Sequence, residues 1–538
     1  MVHQYGATRI IVIHVGLMVR LDIASGNGDS LMLRILGSES KLCDGLSRRD
    51  LLRIGGLGTL GLNVADWFRL QETQAASMGE LSNFGKAKAC ILVFLTGSPP
   101  QHETFDPKPL APVEIQGEMQ AISSSVPGLS LCERLPQHAK IMDRVTVVRS
   151  MTHPYPLHGV GYVTSAMPMT SAELNSLPGD PRQRPYIGSI VDYVDEQRFG
   201  EAVSRIPRNI GLPWLFGSRS GKYGTDGSKR LSGPYASFLG PGYDPIWTDF
   251  DGKGTKVVPK LNADTQTEKV YDPFGGVEPT GKFGLGATCQ LPEGMTRKRF
   301  DDRYSLLRQF DQARASLDSY QNVHVFNKHQ QRAYSLLTTS EMREAIDIQR
   351  EPAKVRAKYG MTLFGQSLLA ARRLVEAGSR FVSVYWDPYG IFGASCWDTH
   401  SNHFPRLKDY LLPVYDESFP NFIIDLDERG LLDETAVLCI SEHGRTPKID
   451  SGPKGAARHH WSRAYSAIYA GGGFARGKVV GRTDPIGGDV ESTPVSPKDV
   501  LATTFHLLGI DPHMTLLDQA GRPQPIAGDG QIRQELMG

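Results

Sequence analysis

The sequence predicts an α/β domain with a mostly parallel sheet, helices on both faces and one loop-rich insertion. Three observations predict it. Continuous apolar runs such as KACILVFLT (88–96), FVSVY (381–385) and AVLCI (436–440) read as strands buried on both faces. Helical segments stand between them, as the long crossovers of a parallel sheet require. A chain of 538 residues, 40% hydrophobic, is long enough to bury a core of that size.

Composition excludes several other classes. Lys+Arg 59 against Asp+Glu 58 leaves a net charge of +1, so no basic excess points to a nucleic-acid partner. Gly 57 and Pro 35 fit many loops between short strands. The six cysteines, Cys43, Cys90, Cys132, Cys289, Cys396 and Cys439, are scattered with no C-x-x-C pair, which argues against a disulfide framework. No period of about 20 to 50 residues repeats.

Taken in order, the elements begin after an N-terminal stretch of a different kind. Ile10–Val19 is apolar but too short to span a bilayer. Ser47-Arg48-Arg49-Asp50-Leu51-Leu52-Arg53, followed by the glycine-rich run 54–68 and the small residues near QETQAAS (71–77), resembles a twin-arginine export signal. Residues 1–76 are therefore expected to be an upstream extension plus a removable signal. That leaves 77–538 as a single exported domain, periplasmic or extracellular, with no stable membrane span.

Lys88–Thr96 is the first buried strand and closes on Gly97-Ser98-Pro99-Pro100. Val145–Val148 is the second, ending in the loop MTHPYPLHGVGY. From about 178 to 294 the chain is rich in Gly, Pro, Asp and Tyr with weak periodicity, and reads as the loop-rich insertion. Leu306, Leu307, Phe310 and Ala313 recur at helical spacing. Met361–Ala377 is a helix stopped by Gly378, followed at once by the strand Phe381–Tyr385. Phe404–Arg429 is mainly helical, with a break expected near Pro413 or Pro420. The strands Ala436–Ile440 and Ala464–Ala470 and a helix over Lys498–Leu508 complete the domain.

Five of the 15 histidines crowd into three loops that flank predicted strands. The loops are Trp397-Asp398-Thr399-His400-Ser401-Asn402-His403, Glu442-His443, and Arg458-His459-His460-Trp461. Imidazole and carboxylate without thiolate suit Zn²⁺ or a similar divalent ion. Asp398 with His400 or His403 and one later histidine, His459 or His460, would supply three ligands. Glu442 and His443 could take a second ion, and two ions about 3.5–4 Å apart clamp the oxygens of an ester in transfer. Read singly, an Asp-x-His loop is more often a turn or a hydrogen-bonded pair, Glu442-His443 is as ambiguous, and His459-His460 fits a surface pair. Arg445 would either hold a tetrahedral oxyanion bidentately or pair with an acid such as Asp450.

Together the motifs GSPPQHETFDPKP (97–109), KYGMTLFGQSLLAARRLVEAGSRFVSV (358–384), CWDTHSNHF (396–404), SEHGRTP (441–447), GAARHHW (455–461) and GGGFARGKVVGRTD (471–484) carry a resemblance. From Ser47 onward the chain resembles an uncharacterised family of mostly twin-arginine-exported bacterial proteins related to the alkaline phosphatase and sulfatase superfamily. The resemblance implies an alkaline-phosphatase-like fold. It further implies a hydrolase of phosphate or sulfate esters, small-molecule or polysaccharide, needing one or two divalent ions, Zn²⁺ first, with Ca²⁺ or Mg²⁺ as alternatives. Glu442-His443-Gly444 is similar to the superfamily's metal-binding Asp-His-Gly. Asp398 and His400 or His403 are similar to the ligands of the other ion, and His460, with His459 as substitute, to its late histidine.

Three departures set this chain apart. His443 stands where the family commonly has Phe. His459-His460 replaces an Asp-His. Ser98 and Pro100 replace the second Gly and the Ser of a Gly-Gly-Pro-Ser loop, leaving Glu103 and Asp106 as the nearest carboxylates. The superfamily's nucleophile is a Ser, Thr or modified Cys at the start of an early helix. The matching residues 153–159 offer only the hydroxyl of Tyr155, with Thr152, Thr164 and Ser165 nearby. Thr164 and Ser165 are the candidates for that role. The alternative is a non-catalytic metal- or ligand-binding protein that kept the fold and lost the nucleophile.

Overall fold

The structure, a computed structural model, describes residues 83–158, 160–167, 177, 179–199, 206–219, 233–257, 269, 271–285, 340–389, 396–452 and 455–538, with three short strands before them. It divides into two units, Met1–Glu80 and Leu81–Gly538. In the first, Arg9–His14, Leu17–Asp22 and Leu33–Leu36 form an antiparallel sheet, so the apolar run at 10–19 enters a hairpin. The twin-arginine segment, the helix expected around 306–313, Cys43 and Cys289 lie outside the described residues.

The second unit is built on a nine-stranded sheet. In chain order its strands are β1 (Ala89–Leu95), β2 (Val145–Met151), β3 (Asn209–Leu212), β4 (Ile246–Asp251), β5 (Lys282–Leu285), β6 (Phe381–Trp386), β7 (Thr435–Ile440), β8 (Tyr465–Ala470) and β9 (Lys478–Val480). Across the sheet they run β5-β4-β3-β6-β1-β7-β8-β2-β9. Only β5, at one edge, and β8, between β7 and β2, run against the rest. β1 lies at the centre, in parallel register with both β6 and β7.

The central strands read as unbroken apolar runs because both of their faces are covered. Along β1 the alternate residues Ile91, Val93 and Leu95 enter one core and Cys90, Leu92 and Phe94 the other. The first core is closed by α3 (Leu363–Glu376) and α4 (Leu412–Glu428). The second is closed by α1 (Val160–Thr164), α2 (Ile187–Phe199) and α5 (Pro497–Leu507). Thr362 caps α3 by accepting from Gly365 N. Gly378, at φ +101°, ends it, with Gly378 N bonded to Val375 O and Ser379 N to Leu374 O. Pro413 sits in the first turn of α4 and Pro420 inside it, and the irregularity falls earlier, in a wide π turn over 407–411.

The stretch expected as a loop-rich insertion departs from that expectation: its described part holds α2, β3, β4 and β5. Two of these strands have only four residues, and a neighbouring strand, Tyr271–Val277, contains a proline and two glycines. Alternation that short leaves little periodic signal. Among the described residues, Cys90, Cys132, Cys396 and Cys439 are in no disulfide with one another and are buried. No helix among them is long and apolar enough to cross a membrane.

Candidate metal centre

The carboxyl ends of β1, β2, β6 and β7 lie at one edge of the sheet, and the amino end of antiparallel β8 meets them there. Each strand delivers one loop: Gly97–Ser98, His153–His158, Trp397–His403, Ser441–Arg445 and, before β8, Arg458–Trp461. This is the edge where open α/β sheets place ligands. A two-residue ribbon, Gly444–Arg445 against His460–Trp461, fixes the β7 loop to the one before β8. Gly97, at φ +96°, lets the Asp398 loop pass; a Cβ there would lie 2.9 Å from Trp397 C and clash with Asp398 N.

Asp398 is the hub. Its Oδ1 lies 2.9 Å from His400 Nε2 and 3.4 Å from His460 Nε2, and its Oδ2 lies 3.3 Å from His158 Nε2. His400 Nε2 and His460 Nε2 are 2.8 Å apart. Beside them, His443 packs its ring 4.5 Å from that of His460 and 5.4 Å from that of His158. Two sets of side chains could each hold an ion: His158, Asp398, His400 and His460, and His158, Glu442 and His443.

Hydrogen bonds at the far ring nitrogens settle which tautomer faces the cluster. His443 Nδ1 donates to Gly444 O at 2.8 Å and His460 Nδ1 to Pro156 O at 3.1 Å, since a carbonyl only accepts. Their Nε2 atoms therefore carry lone pairs when the rings are neutral. His443 Nε2 is buried with no hydrogen-bond partner among the described residues. Burial first, then the nearby Arg445, His460 and His158, hold the His443 ring well below the usual imidazole pKa despite Glu442. An orphaned imidazole lone pair beside carboxylates and further imidazoles fits a divalent cation.

Burial alone would raise the Glu442 pKa, but hydrogen bonds from His158 and Ser441 and nearby positive charge bring it down to about 2. Glu442 Oε1 accepts from Gly97 N at 2.8 Å and contacts His158 Nδ1 at 2.8 Å, while Oε2 accepts from Ser441 Oγ at 2.7 Å. Asp398 is likewise held well below the usual carboxylate range: burial opposes this, and Arg445 with His158, His400 and His460 overcomes it.

The structure gathers Asp398, His400, His460, Glu442 and His443, and it places the other sequence candidates differently. His403 turns away: Nδ1 meets Thr399 Oγ1 at 2.8 Å and Nε2 faces Glu103 at 3.4 Å, in a separate buried group with Arg458. Asn402, at φ +48°, reverses the chain between the two histidines of that loop, which is why His400 and His403 part. His459 touches only the far side of His400, Nδ1 to Nδ1 at 2.9 Å, and reaches Asp450 at 3.2 Å through Nε2.

Arg445 does not stand open as an oxyanion clamp, nor does it pair with Asp450. It is fully buried, bonded to Gly97 O, to Ser98 O at 3.1 Å, to Arg458 O at 3.2 Å and to Asp398 Oδ1 at 2.5 Å. It positions Asp398. Thr164 and Ser165 are buried and back-bonded, to Val160 O at 2.6 Å and Gly161 O at 2.5 Å, so neither hydroxyl is set as a nucleophile. Glu103 pairs with Arg458, and Asp106 with Thr483, Lys108 and Arg149; neither joins the cluster. The member of the cluster that the sequence did not nominate is His158. Its signal was a histidine just before a glycine at the start of a helix, in a loop leaving a buried strand.

Fold and cluster together define the class: an open α/β protein with a histidine–carboxylate centre at the carboxyl edge of its sheet. The chain belongs to the family described as "Protein of unknown function (DUF1501)", which matches residues 87–537. A search of curated proteins gives no match. Among solved structures it is similar to the PsFucS1 sulfatase from Pseudoalteromonas sp., at 13% identity and TM-score 0.35, covering 87% of this chain and 76% of that one. It is also similar to the lipoteichoic acid synthase LtaP from Listeria monocytogenes, at 9% identity and TM-score 0.31, covering 85% and 80%. A third is Ps i-CgsB, at 8% identity and TM-score 0.33, covering 79% and 73%.

Proposed function

We propose that this chain is a divalent-metal-dependent hydrolase of phosphate or sulfate esters, exported by the twin-arginine route and acting on small-molecule or polysaccharide esters. The observation that carries the reading is the gathering of Asp398, His400 and His460 at one sheet edge, with the orphaned Nε2 of His443 beside them. The motif resemblance of Glu442-His443-Gly444 to phosphatases and sulfatases supplies the substrate class. An imidazole-rich donor set favours Zn²⁺, whereas Ca²⁺ and Mg²⁺ prefer all-oxygen sites. Such an ion, when bound, supplies Lewis acidity and a lowered pKa for bound water.

The chain's own residues prepare the place. Arg445 pins Asp398 Oδ1, Pro156 O and Gly444 O fix the tautomers of His460 and His443, and the buried Glu442 stays ionised. With Thr164 and Ser165 tied to the backbone, the reading assigns the attack to water rather than to a side chain. The same observation favours a second reading, a metal-binding protein without turnover. Metal content after purification, followed by rates on aryl phosphate and aryl sulfate, tests both. Bound metal with turnover lost in His443→Ala supports the hydrolase. Tight metal with no turnover across the panel supports the binder, and metal-free protein under replete conditions defeats both.

A further inference from the structure

We propose that His158 is a ligand of the same ion as Asp398, His400 and His460, making a three-histidine, one-aspartate site, and that Glu442 orients His158 instead of coordinating. The proposal rests on the metal-centre reading above and adds to it a ligand that the sequence did not nominate and a new role for Glu442.

Three imidazoles present the same atom to one carboxylate. His158, His400 and His460 all turn Nε2 toward Asp398, at 3.3, 2.9 and 3.4 Å. Each has its opposite nitrogen held by a different group: His158 Nδ1 by Glu442, His400 Nδ1 by His459, and His460 Nδ1 by Pro156 O. A metal-bound histidine characteristically gives its second ring nitrogen to a carboxylate, a carbonyl or water, which fixes the tautomer. The arrangement at His158 is of that kind, with Glu442 as the carboxylate. A tetrahedral ion with ligands at about 2.0–2.2 Å holds them roughly 3.3–3.5 Å apart. The His460 contact to Asp398 Oδ1, 3.4 Å, already has that spacing, and His158 stands 3.3 Å from the other oxygen, Oδ2; the two shorter contacts, 2.8 and 2.9 Å, both involve the more exposed His400.

Glu442 is equipped for the orienting role. Gly97 N, Ser441 Oγ and His158 Nδ1 already engage its two oxygens, and the residue is 2% exposed. A carboxylate held by three donors has little coordinating capacity left, whereas its hold on His158 Nδ1 leaves His158 Nε2 free of any tautomeric choice. Four protein donors are the pattern of sites that keep their ion firmly, so the water of the proposed hydrolysis would enter at a fifth position, an expansion that zinc sites allow.

The test uses the full chain reconstituted with Zn²⁺ and, separately, Co²⁺. Ions per chain are counted by mass spectrometry, affinity is read by chelator competition, and the Co²⁺ visible spectrum reports the ligand set. His158→Ala is expected to weaken binding at least about 10-fold and to change the Co²⁺ spectrum, as loss of a ligand should exceed the about 10–100-fold range of orienting residues at its lower end. Glu442→Gln is expected to keep the ion count and lose about 10–100-fold in affinity. His158→Gln, which keeps a polar partner for Glu442, stands in if the alanine variant does not fold. Unchanged affinity and spectrum on loss of His158 would overturn the proposal while leaving the metal centre standing. Loss of a whole ion in Glu442→Gln would make Glu442 a ligand and overturn its assigned role. A wild-type chain that takes up no ion overturns the metal-centre reading itself.

Discussion

Arg458→Met is the perturbation whose outcome the structure specifies most fully. Arg458 and Glu103 form an ion pair at 2.6 Å, with side chains 0% and 1% exposed. The guanidinium also donates to Ile115 O at 2.8 Å, Thr446 O at 3.1 Å and Pro447 O, so it ties the loop before β8 to the one after β7. Burial alone would raise the Glu103 pKa, but Arg458, and after it His403, brings it from 4.5 down to about 2. A difference of that size corresponds to about 3 kcal/mol. The sign follows from a depressed carboxylate: the contribution is full above pH 4.5 and is lost as pH falls toward 2. Removing Arg458 leaves the carboxylate buried without its cationic partner, at a cost of about 3–5 kcal/mol at pH 7. In the variant Glu103 protonates instead, so the difference from wild type should shrink as the pH is lowered. Adding Glu103→Leu should recover most of the loss. Urea unfolding followed by tryptophan fluorescence, at neutral and acid pH, reads all three. A cost below about 1 kcal/mol at pH 7, or a difference that stays constant with pH, would refute the reasoning.

The other predictions concern the site itself. His403→Ala should destabilise the fold by about 1–3 kcal/mol, through its buried partners, and leave the ion count unchanged, as metal analysis of the refolded variant would show. Gly97→Ala should cost about 1–3 kcal/mol from its φ alone and should weaken ion binding as well, because the new Cβ pushes on Trp397 and Asp398; thermal unfolding and chelator competition measure the two effects. Thr164→Val and Ser165→Ala should leave any ester turnover intact, and its abolition by either would restore a hydroxyl nucleophile. Free Zn²⁺ at about 100 times Kd should stabilise the wild-type chain by about 2.7 kcal/mol, an increment removed by chelator and absent in Asp398→Ala.

Much of the sheet's centre was legible because its strands are buried on both faces. The apolar runs at β1, β6 and β7 admit few other readings, and Thr362 and Gly378 mark the ends of α3 as the structure has them. The strands between 209 and 285 were hidden by their length and by Gly and Pro, which remove the alternation that betrays a half-buried strand. At the site, sequence could name the loops but not the direction of each side chain. His400 and His403 stand in one loop, and only the left-handed turn at Asn402 separates the ring that meets Asp398 from the one that meets Glu103. Arg445 looked like a binding group because its chemistry suits oxyanions; that it is buried against Asp398 depends on a packing no motif records. His158 was obscured by distance along the chain, since its partners are brought to it by the sheet order β7-β8-β2.

The central claim is that this edge of the sheet holds a metal ion, and the ion content of the folded chain tests it most directly. Wild-type protein and His460→Ala, both purified, loaded with Zn²⁺ and dialysed against metal-free buffer, would be measured by mass spectrometry. The account predicts at least one retained ion per wild-type chain and loss of that ion in the variant. Wild-type protein that emerges metal-free, or a variant that retains as much as wild type, would contradict it.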